Sequence, residues 1–407
     1  MSTIDSIFFK FSGLQSFNLA GHPQSTDAEA FEDKGVIRMR CERFTEFLRG
    51  VALGDSLGML PENLDRQQVA RMFGGQVTQK MPFGRGFVSD ETEQALLTAR
   101  AIMRAGETKP KQAMRGELFA WLATLPPGIG SSTLKAILKL ALTSESRLTS
   151  VHGLGVASAG NGPLLRAATM GLLLDISAIC DIAPMTTLMT HDHPDALACS
   201  VTTALIFDAA QTAHRSGRRL SSDMYRDAAS LAHASIEGNE GIGWRDEVRK
   251  SFWSLNPAFH VIDLVSHGSI PLEEGLARIG CADGVSGYIR DTMLAALMIA
   301  ARHSDDVNAA ADAAIGAGGD TDSVAALTCG LVAVVSAREQ DFSRLKLWRD
   351  PYGLARDEPP SSRDLLASVS QSRRILGTLA EHLALTTLFA VPFLGRRTWI
   401  RLGFGRQ

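Results

Sequence analysis

Alanine, leucine and methionine recur at helical spacing in several long stretches of the chain. The clearest stretches are ETEQALLTARAIMRAG, PLLRAATMGLLLDISAI, DALACSVTTALIFDAAQTAHRSG, DTMLAALMIAARH and DSVAALTCGLVAVVSAREQ. Several of them end at glycine or carry basic residues in the last turn, as helices commonly do. Alternating runs of β-branched residues, which are typical of strands, are scarce. The pattern predicts an all-α domain, a compact multi-helix bundle in which helices that are apolar on more than one face lie at the centre.

The helical pattern does not extend over the whole chain. Residues 1–37 have mixed polarity and no sustained period, so we interpret them as an N-terminal extension. Residues 38–345 form the predicted helical domain, and residues 346–407 form a linker followed by a C-terminal helical segment. The apolar stretch at 383–397 is too short to span a bilayer. Packing against the domain is its preferred interpretation, and a membrane-surface or partner-docking tail is the alternative.

The composition argues against several functional classes. The chain has 407 residues, is 45% hydrophobic and carries a formal net charge of −3 with dispersed Lys and Arg, so no nucleic-acid-binding surface is expected. Its five cysteines include no CxxC pair, which argues against a disulfide framework and a zinc site. Cys180, Cys199 and Cys329 lie in apolar runs and are expected to be buried. No signal peptide and no transmembrane segment are predicted, which favours a cytoplasmic location.

Two short acidic clusters stand at the predicted starts of buried helices. The first is Ser89-Asp90-Glu91, and the second is Asp320-Thr321-Asp322-Ser323, which follows Gly318 and Gly319. An ordinary helix start is one interpretation of both clusters. Hydroxyl and carboxylate side chains cap helix N-termini, and acidic residues in the first turn interact favourably with the helix dipole.

A metal site is the alternative interpretation of the same clusters. Four carboxylates gathered at buried helix ends would repel one another and would need cations to remain ionised. The clusters lie far apart in the sequence, so they meet only if the fold brings them together. The resulting all-oxygen site would suit Mg²⁺ or Mn²⁺ rather than zinc.

Three further segments carry candidate chemistry. In GVALGDSLGMLPENL, at 50–64, glycines allow close backbone approach around Asp55, and Glu62 is either functional or a solvated carboxylate at a helix end. The turn at 160–162 could present amides to a phosphate or ribose, although an ordinary turn is the simpler interpretation. The two histidines of THDHPDALA, at 190–198, are either helix caps or ligands.

Taken in order, these segments resemble the motifs of the ADP-ribosylglycohydrolase family, whose members are helical two-metal enzymes. The family's glycine-rich GD-x-x-G-x-x-x-E motif is similar to Gly54–Glu62, and its Thr/Ser-Asp-Asp-Thr motif to Ser89–Thr92. Its Gly-Asn-Gly-x-x-x-Arg turn is similar to Gly160–Arg166, and its Thr-His pair to Thr190-His191. Its Gly-Gly-Asp-Thr-Asp-Thr/Ser motif is similar to Gly318–Ser323. Each motif alone is a weak signal, but five in order are a strong one.

The resemblance implies an ADP-ribosylglycohydrolase-like bundle with a dinuclear Mg²⁺ (or Mn²⁺) centre at helix N-termini. The implied metal ligands are Ser89, Asp90, Glu91, Asp320, Asp322 and Ser323. Glu62 is the first choice for the catalytic carboxylate that activates water, and Asp90 is the second. The implied substrate-binding residues are Gly160, Asn161, Gly162, His191, Gly318 and Gly319. Hydrolysis of a ribosyl bond passes through an oxocarbenium-like state that anions stabilise, and two metals can hold the ribose diol and lower the pKa of a bound water.

Glu91 departs from the family pattern, which usually has aspartate at this position. Glutamate adds one C–C bond of about 1.5 Å, whereas Mg²⁺ demands near-ideal octahedral geometry. A backbone shift or changed coordination must absorb the added length, so reduced or altered activity is one expectation. Ser89 and Ser323 stand where threonine is usual, and both keep the hydroxyl.

The resemblance implies a hydrolase that removes ADP-ribose from an ADP-ribosylated protein, with arginine as the expected modified residue. A second hypothesis is a binding protein that neutralises an ADP-ribosyltransferase by blocking it, with the help of residues 1–35. A third is an HD-type phosphohydrolase, suggested by His191-Asp192 in an all-α chain. That fold requires another metal-binding histidine on an earlier helix, whereas His152 lies in a glycine-rich loop.

Overall fold

The computed structural model describes residues 40, 42–74, 77–79, 84–105, 109–126, 129–150, 152–239, 242, 245–371 and 382–383. Within these residues the chain forms fifteen α-helices and no β-sheet, which confirms the all-α prediction. The helices in chain order are α1 (Phe44–Gly58), α2 (Arg66–Phe73), α3 (Asp90–Ala105), α4 (Pro110–Leu122), α5 (Ser131–Ala141), α6 (Leu164–Leu173), α7 (Ile176–Leu188), α8 (Pro194–Arg215), α9 (Ser222–Glu237), α10 (Arg245–Ser266), α11 (Leu272–Arg278), α12 (Ile289–Arg302), α13 (Val307–Gly316), α14 (Thr321–Val335) and α15 (Ser362–Gln371).

Helix α14 lies at the centre of the bundle, since every one of its residues is buried. Helix α1 packs along it through the glycines of GVALGDSLG, which recur every four residues and therefore share one helix face. A Cβ atom on Gly54 would lie 2.1 Å from the carbonyl oxygen of Ala325, so only glycine permits this approach. The close contact brings the last turn of α1, which carries Asp55, beside the first turn of α14.

The predicted helical stretches correspond to α3, α6 with α7, α8, α12 and α14. The stretch PLLRAATMGLLLDISAI is divided between α6 and α7. The division occurs because the Asp175 carboxylate accepts a hydrogen bond from the Ala178 amide at 2.9 Å and starts a new helix. The apolar pattern continues through this point and does not reveal the break.

One helix of the described residues, α8, is long and apolar enough by composition to cross a membrane. However, 94% of its most apolar window is buried inside the protein. Helices α6, α7 and α9 are among the neighbours that cover it. Its hydrophobicity is therefore explained by its position in the bundle.

The described residues beyond position 345 pack onto the bundle. Helix α15 buries Leu365, Leu366 and Val369, and the Ser362 hydroxyl accepts a hydrogen bond from the Thr45 amide at 3.0 Å. The predicted extension at 1–37 lies outside the described residues, and so does the apolar stretch at 383–397 apart from its first residue. The interpretations of these two segments stay predictions.

The cysteines of the described residues are free and mostly buried. Cys199, Cys281 and Cys329 are buried, whereas Cys180 is only half-buried. The burial prediction is thus confirmed for Cys199 and Cys329 and is wrong for Cys180. The inward face of α7 presents Ile179 to the core instead.

Candidate active site

The N-terminus of helix α3 is held by a carboxylate from another helix. Asp55 is fully buried and accepts hydrogen bonds from the amides of Ser89 (2.9 Å) and Thr92 (3.1 Å) and from the Thr92 hydroxyl (2.5 Å). The first amides of a helix lack partners within the helix, so an external carboxylate is a suitable acceptor. Burial raises the pKa of Asp55 to about 6, although the hydrogen bonds from Thr92 and Ser89 lower it. Asp55 thus fixes the position of the first acidic cluster.

The two acidic clusters predicted from the sequence meet in the fold. The Ser323 hydroxyl on α14 donates a hydrogen bond to the Glu91 carboxylate on α3, across 232 positions of the chain. Glu91 and Asp322 are buried, at 6% and 7% exposure, whereas Asp90 and Asp320 are half-buried. The N-termini of α3 and α14 therefore form one acidic site, made of Ser89, Asp90, Glu91, Asp320, Asp322 and Ser323. Asp90 and Asp320 are its members nearest the surface.

Asp320 occupies the cap position of α14 without capping the helix. Its side chain accepts no hydrogen bond from the first amides of α14. Instead, Asp320 Oδ2 accepts one from Asn161 Nδ2 at 2.7 Å, and Asn161 Nδ2 also donates to the Thr292 hydroxyl at 3.0 Å. The helix-start interpretation therefore does not account for Asp320. It does account for Ser89, whose hydroxyl accepts a hydrogen bond from the Glu91 amide at 3.3 Å.

Gly318 and Gly319 have positive φ angles of 73° and 83°, a conformation that favours glycine. The Gly319 amide donates to the Leu64 carbonyl, and its own carbonyl accepts from the Asn63 amide, both at 2.7 Å. The Gly318 carbonyl accepts from the Val285 amide at 2.9 Å. These two glycines, predicted to bind substrate, therefore have a clear backbone role. They hold the loop after α1 and the segment before α12 against the start of α14.

Glu62 lies on the loop after α1, which these glycine contacts hold beside the acidic site. Its side chain is half-buried, and Oε1 accepts a hydrogen bond from Asn63 Nδ2 at 3.0 Å. The negative charge of Glu62 contributes to raising the pKa of both Glu91 and Asp322. The interpretation of Glu62 as a solvated carboxylate at a helix end is therefore incomplete, because its charge also acts on two buried carboxyl groups.

The carboxyl groups of Asp90, Glu91 and Asp322 have pKa values above their usual range. Burial, followed by the charge of Glu91, raises the pKa of Asp90 well above its ordinary value. Burial raises the pKa of Glu91 to about 8, and the charge of Asp320 acts in the same direction. Burial and the charges of Asp320 and Glu62 raise the pKa of Asp322 well above its ordinary value. A cation placed among buried like charges shifts such pKa values downward.

A buried arginine connects three of the segments identified in the sequence. Arg166, on α6, is 1% exposed. It donates hydrogen bonds to Gln94 Oε1 on α3 at 2.8 Å, to the Gly162 carbonyl at 3.2 Å and to the Thr190 hydroxyl. All three acceptors are uncharged. Burial lowers the pKa of Arg166 to about 10, against the effect of the Glu91 charge, so the guanidinium stays protonated at neutral pH.

His191 lies beside the turn at 160–162, in the same part of the molecule as Arg166. Its Nδ1 is 3.0 Å from the Thr190 hydroxyl, and a Cβ atom on Gly160 would lie 3.3 Å from its Nε2. Burial, together with the charge of Arg166, lowers the pKa of His191 to about 3. The imidazole is therefore neutral at physiological pH and packs against the turn.

The turn at 160–162 uses two of its amides within the protein. The Gly160 amide donates to the Ser158 hydroxyl at 3.2 Å, and the Asn161 amide donates to the Gly287 carbonyl at 3.1 Å. The ordinary-turn interpretation therefore accounts for both amides. The side chain of Asn161, rather than its amide, connects this turn to the acidic site.

The remaining histidines of the two candidate segments have local partners. His193 Nδ1 accepts a hydrogen bond from the Asp195 amide at 3.1 Å and caps α8. This contact agrees with the helix-cap interpretation of His193. His152 Nδ1 lies 3.0 Å from Asp192 Oδ1. Asp192 of the His191-Asp192 pair therefore contacts the loop histidine His152. This contact leaves the HD-type phosphohydrolase hypothesis without support.

The acidic site offers donors that suit a hard divalent cation, because its side chains supply only carboxylate and hydroxyl oxygens. Within the part of the chain that the structure describes, no group of three or more His, Cys, Asp or Glu side chains is arranged to hold a metal ion. These residues therefore match Mg²⁺ or Mn²⁺ in the chemistry and charge of their oxygen atoms, but the described side chains do not form a preformed metal cage.

Several residues that build the site were not identified as such from the sequence. Asp55 and Arg166 lie within motifs of the family, which could have indicated their importance. The motifs do not show which residues Asp55 and Arg166 contact. Gln94 and Thr292 gave no signal, because each is a single polar residue in an otherwise ordinary helical stretch. Their importance follows only from the contacts with Arg166 and Asn161.

Fold and site together define an all-α protein in which two helix N-termini carry one acidic site, supported by a glycine pair and a buried arginine. A model of the family described as ADP-ribosylglycohydrolase matches residues 38–339. The chain belongs to this family, a family of hydrolases.

Individual relatives are distant. An ADP-ribosyl-[dinitrogen reductase] glycohydrolase from Rhodospirillum rubrum is 27% identical over 154 residues, which cover 36% of this chain and 50% of that protein. An uncharacterized protein from Archaeoglobus fulgidus is 27% identical over 173 residues, which cover 40% of this chain and 54% of that protein. The matches thus span about half the length of these relatives. A solved structure titled ADP-ribosylglycohydrolase-related protein complex has a TM-score of 0.47 and 20% identity, covering 83% of this chain and 98% of its own.

Proposed function

We propose that this protein is a metal-dependent hydrolase that removes ADP-ribose from a modified protein side chain, with arginine as the preferred modified residue. The observation that carries the proposal is the meeting of the two acidic clusters through the Ser323–Glu91 hydrogen bond. Family membership supports the hydrolytic release of ADP-ribose. The name of the Rhodospirillum rubrum relative supports a protein-linked substrate.

The chemistry of ribosyl transfer to water matches the charge of the acidic site. Cleavage of an N- or O-ribosyl bond develops positive charge on the ribose, which nearby carboxylates stabilise. Glu62 is the proposed general base, because its half-buried carboxylate lies close enough to Glu91 and Asp322 to affect their pKa. Asp90, at the more exposed side of the acidic site, is the second candidate.

The proposed cofactor is a pair of Mg²⁺ or Mn²⁺ ions held by the six residues of the acidic site. When bound, such ions polarise substrate oxygens and balance the charge of crowded carboxylates. Asn161 would orient Asp320 through its 2.7 Å hydrogen bond, and Asp55 would hold the backbone of Ser89. Arg166 would keep the Thr190-His191 pair and the turn at 160–162 in place for the substrate.

Release of ADP-ribose from an arginine-modified protein tests the proposed function. We expect release with Mg²⁺ or Mn²⁺, loss of release in excess EDTA, and recovery when the metal is restored. A serine-linked ADP-ribosylated protein is the matched substrate control. Absence of release from every ADP-ribosylated protein, with no thermal shift from millimolar metal or ADP-ribose, would contradict the proposal, because a ligand bound to the folded state stabilises it.

A second candidate function is a binding protein that blocks an ADP-ribosyltransferase. The observation that favours it is Glu91, whose longer side chain is engaged with Ser323. If that contact has replaced metal coordination, the acidic site has a structural role and the chain acts by binding. The two candidates predict opposite effects of shortening Glu91.

Under the hydrolase proposal, Glu91→Asp is expected to lower turnover. The substitution withdraws the carboxylate by about 1.5 Å and breaks the contact with the Ser323 hydroxyl. Glu91→Gln is expected to weaken both metal affinity and turnover, because it keeps the length but removes the charge. Isothermal titration with Mn²⁺ and steady-state kinetics measure both effects.

Ser323→Thr is the matched control for the Glu91 variants, since it keeps the hydroxyl and restores the usual family residue. Turnover by this variant is expected to stay close to that of the wild type. A gain of turnover in Glu91→Asp would instead favour the binding-protein candidate, in which catalysis has decayed.

A further inference from the structure

The chain contacts the helices of the acidic site again after the family match ends at residue 339. Residues 344–348, which we call the bracing segment, lie against the approaches to both acidic clusters. The sequence pattern suggested a domain boundary here, followed by a linker. The bracing segment nevertheless makes close contacts with the parts of the chain that lead into both acidic clusters.

The first contact is with the backbone that leads into α3. The Gly86 amide donates to the Lys346 carbonyl at 2.7 Å, and the Trp348 amide donates to the Gly86 carbonyl at 2.9 Å. The Phe87 ring stacks on Trp348 with a centroid distance of 5.9 Å. Ser89 follows directly after this pairing, so the bracing segment fixes the chain at the entrance to the first acidic cluster.

The second contact is with the helix that leads to the other cluster. Arg344 forms a two-point ion pair with Asp312 on α13, at 2.7 and 3.1 Å. The same guanidinium donates to the Val77 carbonyl. Helix α13 ends at Gly316 and leads directly to the glycine pair and Asp320. A paired guanidinium and carboxylate fix both distance and orientation.

Beyond the bracing segment, the chain continues beside α3. A pocket at this place is lined by Val88 and Thr92, at the start of α3, by Leu347 of the bracing segment and by Tyr352 beyond it. The first turn of α3, which carries Asp90 and Glu91, is therefore bordered by residues from beyond the family match.

We propose that the bracing segment is a positioning element that sets the distance between the N-termini of α3 and α14. From one short stretch it contacts the chain at Gly86 and Phe87, just before the first acidic cluster, and at Asp312 on the helix that leads to the second. Catalytic groups require placement to within about 0.5 Å, so a loosened approach on either side would misalign the pair of clusters. The expected effect on catalysis rests on the proposed function, whereas the effect on local structure does not.

Trp348→Ala and Arg344→Met test the positioning role. Trp348 is 45% exposed, whereas the Arg344 and Asp312 side chains are 21% and 19% exposed, so Arg344→Met is expected to destabilise the protein more than Trp348→Ala does. We expect kcat for ADP-ribose release to fall about tenfold or more in both variants, because small misplacements of reacting groups cost that much, while KM changes little. Trp348→Phe keeps a stacked ring and is expected to restore kcat.

Trp253→Ala is the matched control, since Trp253 is an exposed tryptophan (63%) on α10. A kcat drop of equal size in this variant would overturn the inference, as would unchanged kcat in both bracing-segment variants.

Hydrogen exchange followed by mass spectrometry provides a readout that needs no activity. In Trp348→Ala, the peptide covering 84–95 should exchange faster, because the amides of Ser89 and Thr92 lose their fixed position at Asp55. A peptide from α8 should exchange as in the wild type. Unchanged exchange at 84–95 would overturn the inference even if the protein hydrolyses ADP-ribosyl bonds. Faster exchange in a protein without hydrolase activity would support the positioning role while contradicting the proposed function.

Discussion

Asp320→Ala and Asp322→Ala are each expected to reduce ADP-ribose release to background while leaving the helical circular-dichroism spectrum intact. The Asp320 side chain makes no capping hydrogen bond, and the Asp322 side chain bonds to the adjacent Ser323 amide, at 2.9 Å, and to the Asp320 side chain. Helix α14 is buried along its whole length, so its packing holds it in place without either carboxylate. The loss would therefore fall on metal binding and catalysis.

The melting temperature separates this result from the loss of a helix cap. In EDTA, both variants are expected to melt no lower than the wild type, because each removes one of several crowded, buried carboxylates. A lost cap would instead cost about 0.5–2 kcal/mol and leave turnover intact. Retained turnover in the double variant would rule out the metal assignment.

Asp306→Ala is the matched control, because Asp306 is a true cap. Its Oδ1 accepts hydrogen bonds from the amides of Asn308 (2.9 Å) and Ala309 (3.0 Å) at the start of α13. This variant is expected to show the opposite result, a lower melting temperature with turnover retained. The same aspartate-to-alanine change then has two different outcomes that depend only on what the carboxylate contacts.

The fold class could be predicted because helix formation and burial leave a periodic record in the sequence. The five stretches rich in Ala, Leu and Met correspond to helices, and the one whose residues are all buried, α14, lies at the centre. The break at Asp175 could not be seen, since a side chain that starts a helix is a single residue within a continuous apolar pattern. Periodicity reports which faces are buried and says little about where one helix stops and the next begins.

The residues of the acidic site could be predicted from the sequence, but the partners that hold them in place could not. Hydroxyl and carboxylate residues at two helix starts were visible as local clusters, and their meeting was inferred from charge and from the family resemblance. The partners that hold them were not visible, because Asn161 and Asp320, or Gln94 and Arg166, lie far apart in the sequence. Such pairs are set by how the helices pack, and nothing in either local sequence specifies the other member.

The contacts of the bracing segment could not be predicted either, because its partners also lie elsewhere in the sequence. The predicted domain ends at residue 345, inside the bracing segment, and the stretch rich in Pro, Asp and Arg begins at residue 349, directly after it. The family match ends before the bracing segment, at residue 339. Trp348, which lies beyond the predicted end of the domain, stacks on Phe87, and Arg344, which lies just inside it, pairs with Asp312. Leu345 and Leu347 of the bracing segment are buried, so the segment packs against the domain although the predicted boundary at residue 345 divides it.

Gly319→Ala is expected to lower stability and to abolish turnover together. At a φ angle of 83°, an alanine would cost about 1–2 kcal/mol from backbone strain alone. Its Cβ atom would also lie 2.0 Å from the Val285 carbonyl oxygen, so the backbone would have to move. That movement would break the hydrogen bonds to Asn63 and Leu64, which hold the loop carrying Glu62 beside the acidic site. Thermal unfolding and ADP-ribose release measure the two losses.

Gly316→Ala supplies the matched control three positions earlier. Gly316 is exposed, at the last position of α13, and a Cβ atom there would meet nothing within 4 Å. Because alanine favours the helix by up to about 1 kcal/mol over glycine, this variant is expected to melt at the same temperature or slightly higher, with full turnover. A Gly319→Ala protein that behaved like Gly316→Ala would show that the glycine pair is dispensable. The placement of Glu62 beside the acidic site, and with it the proposed role of Glu62 as general base, would then have to be abandoned.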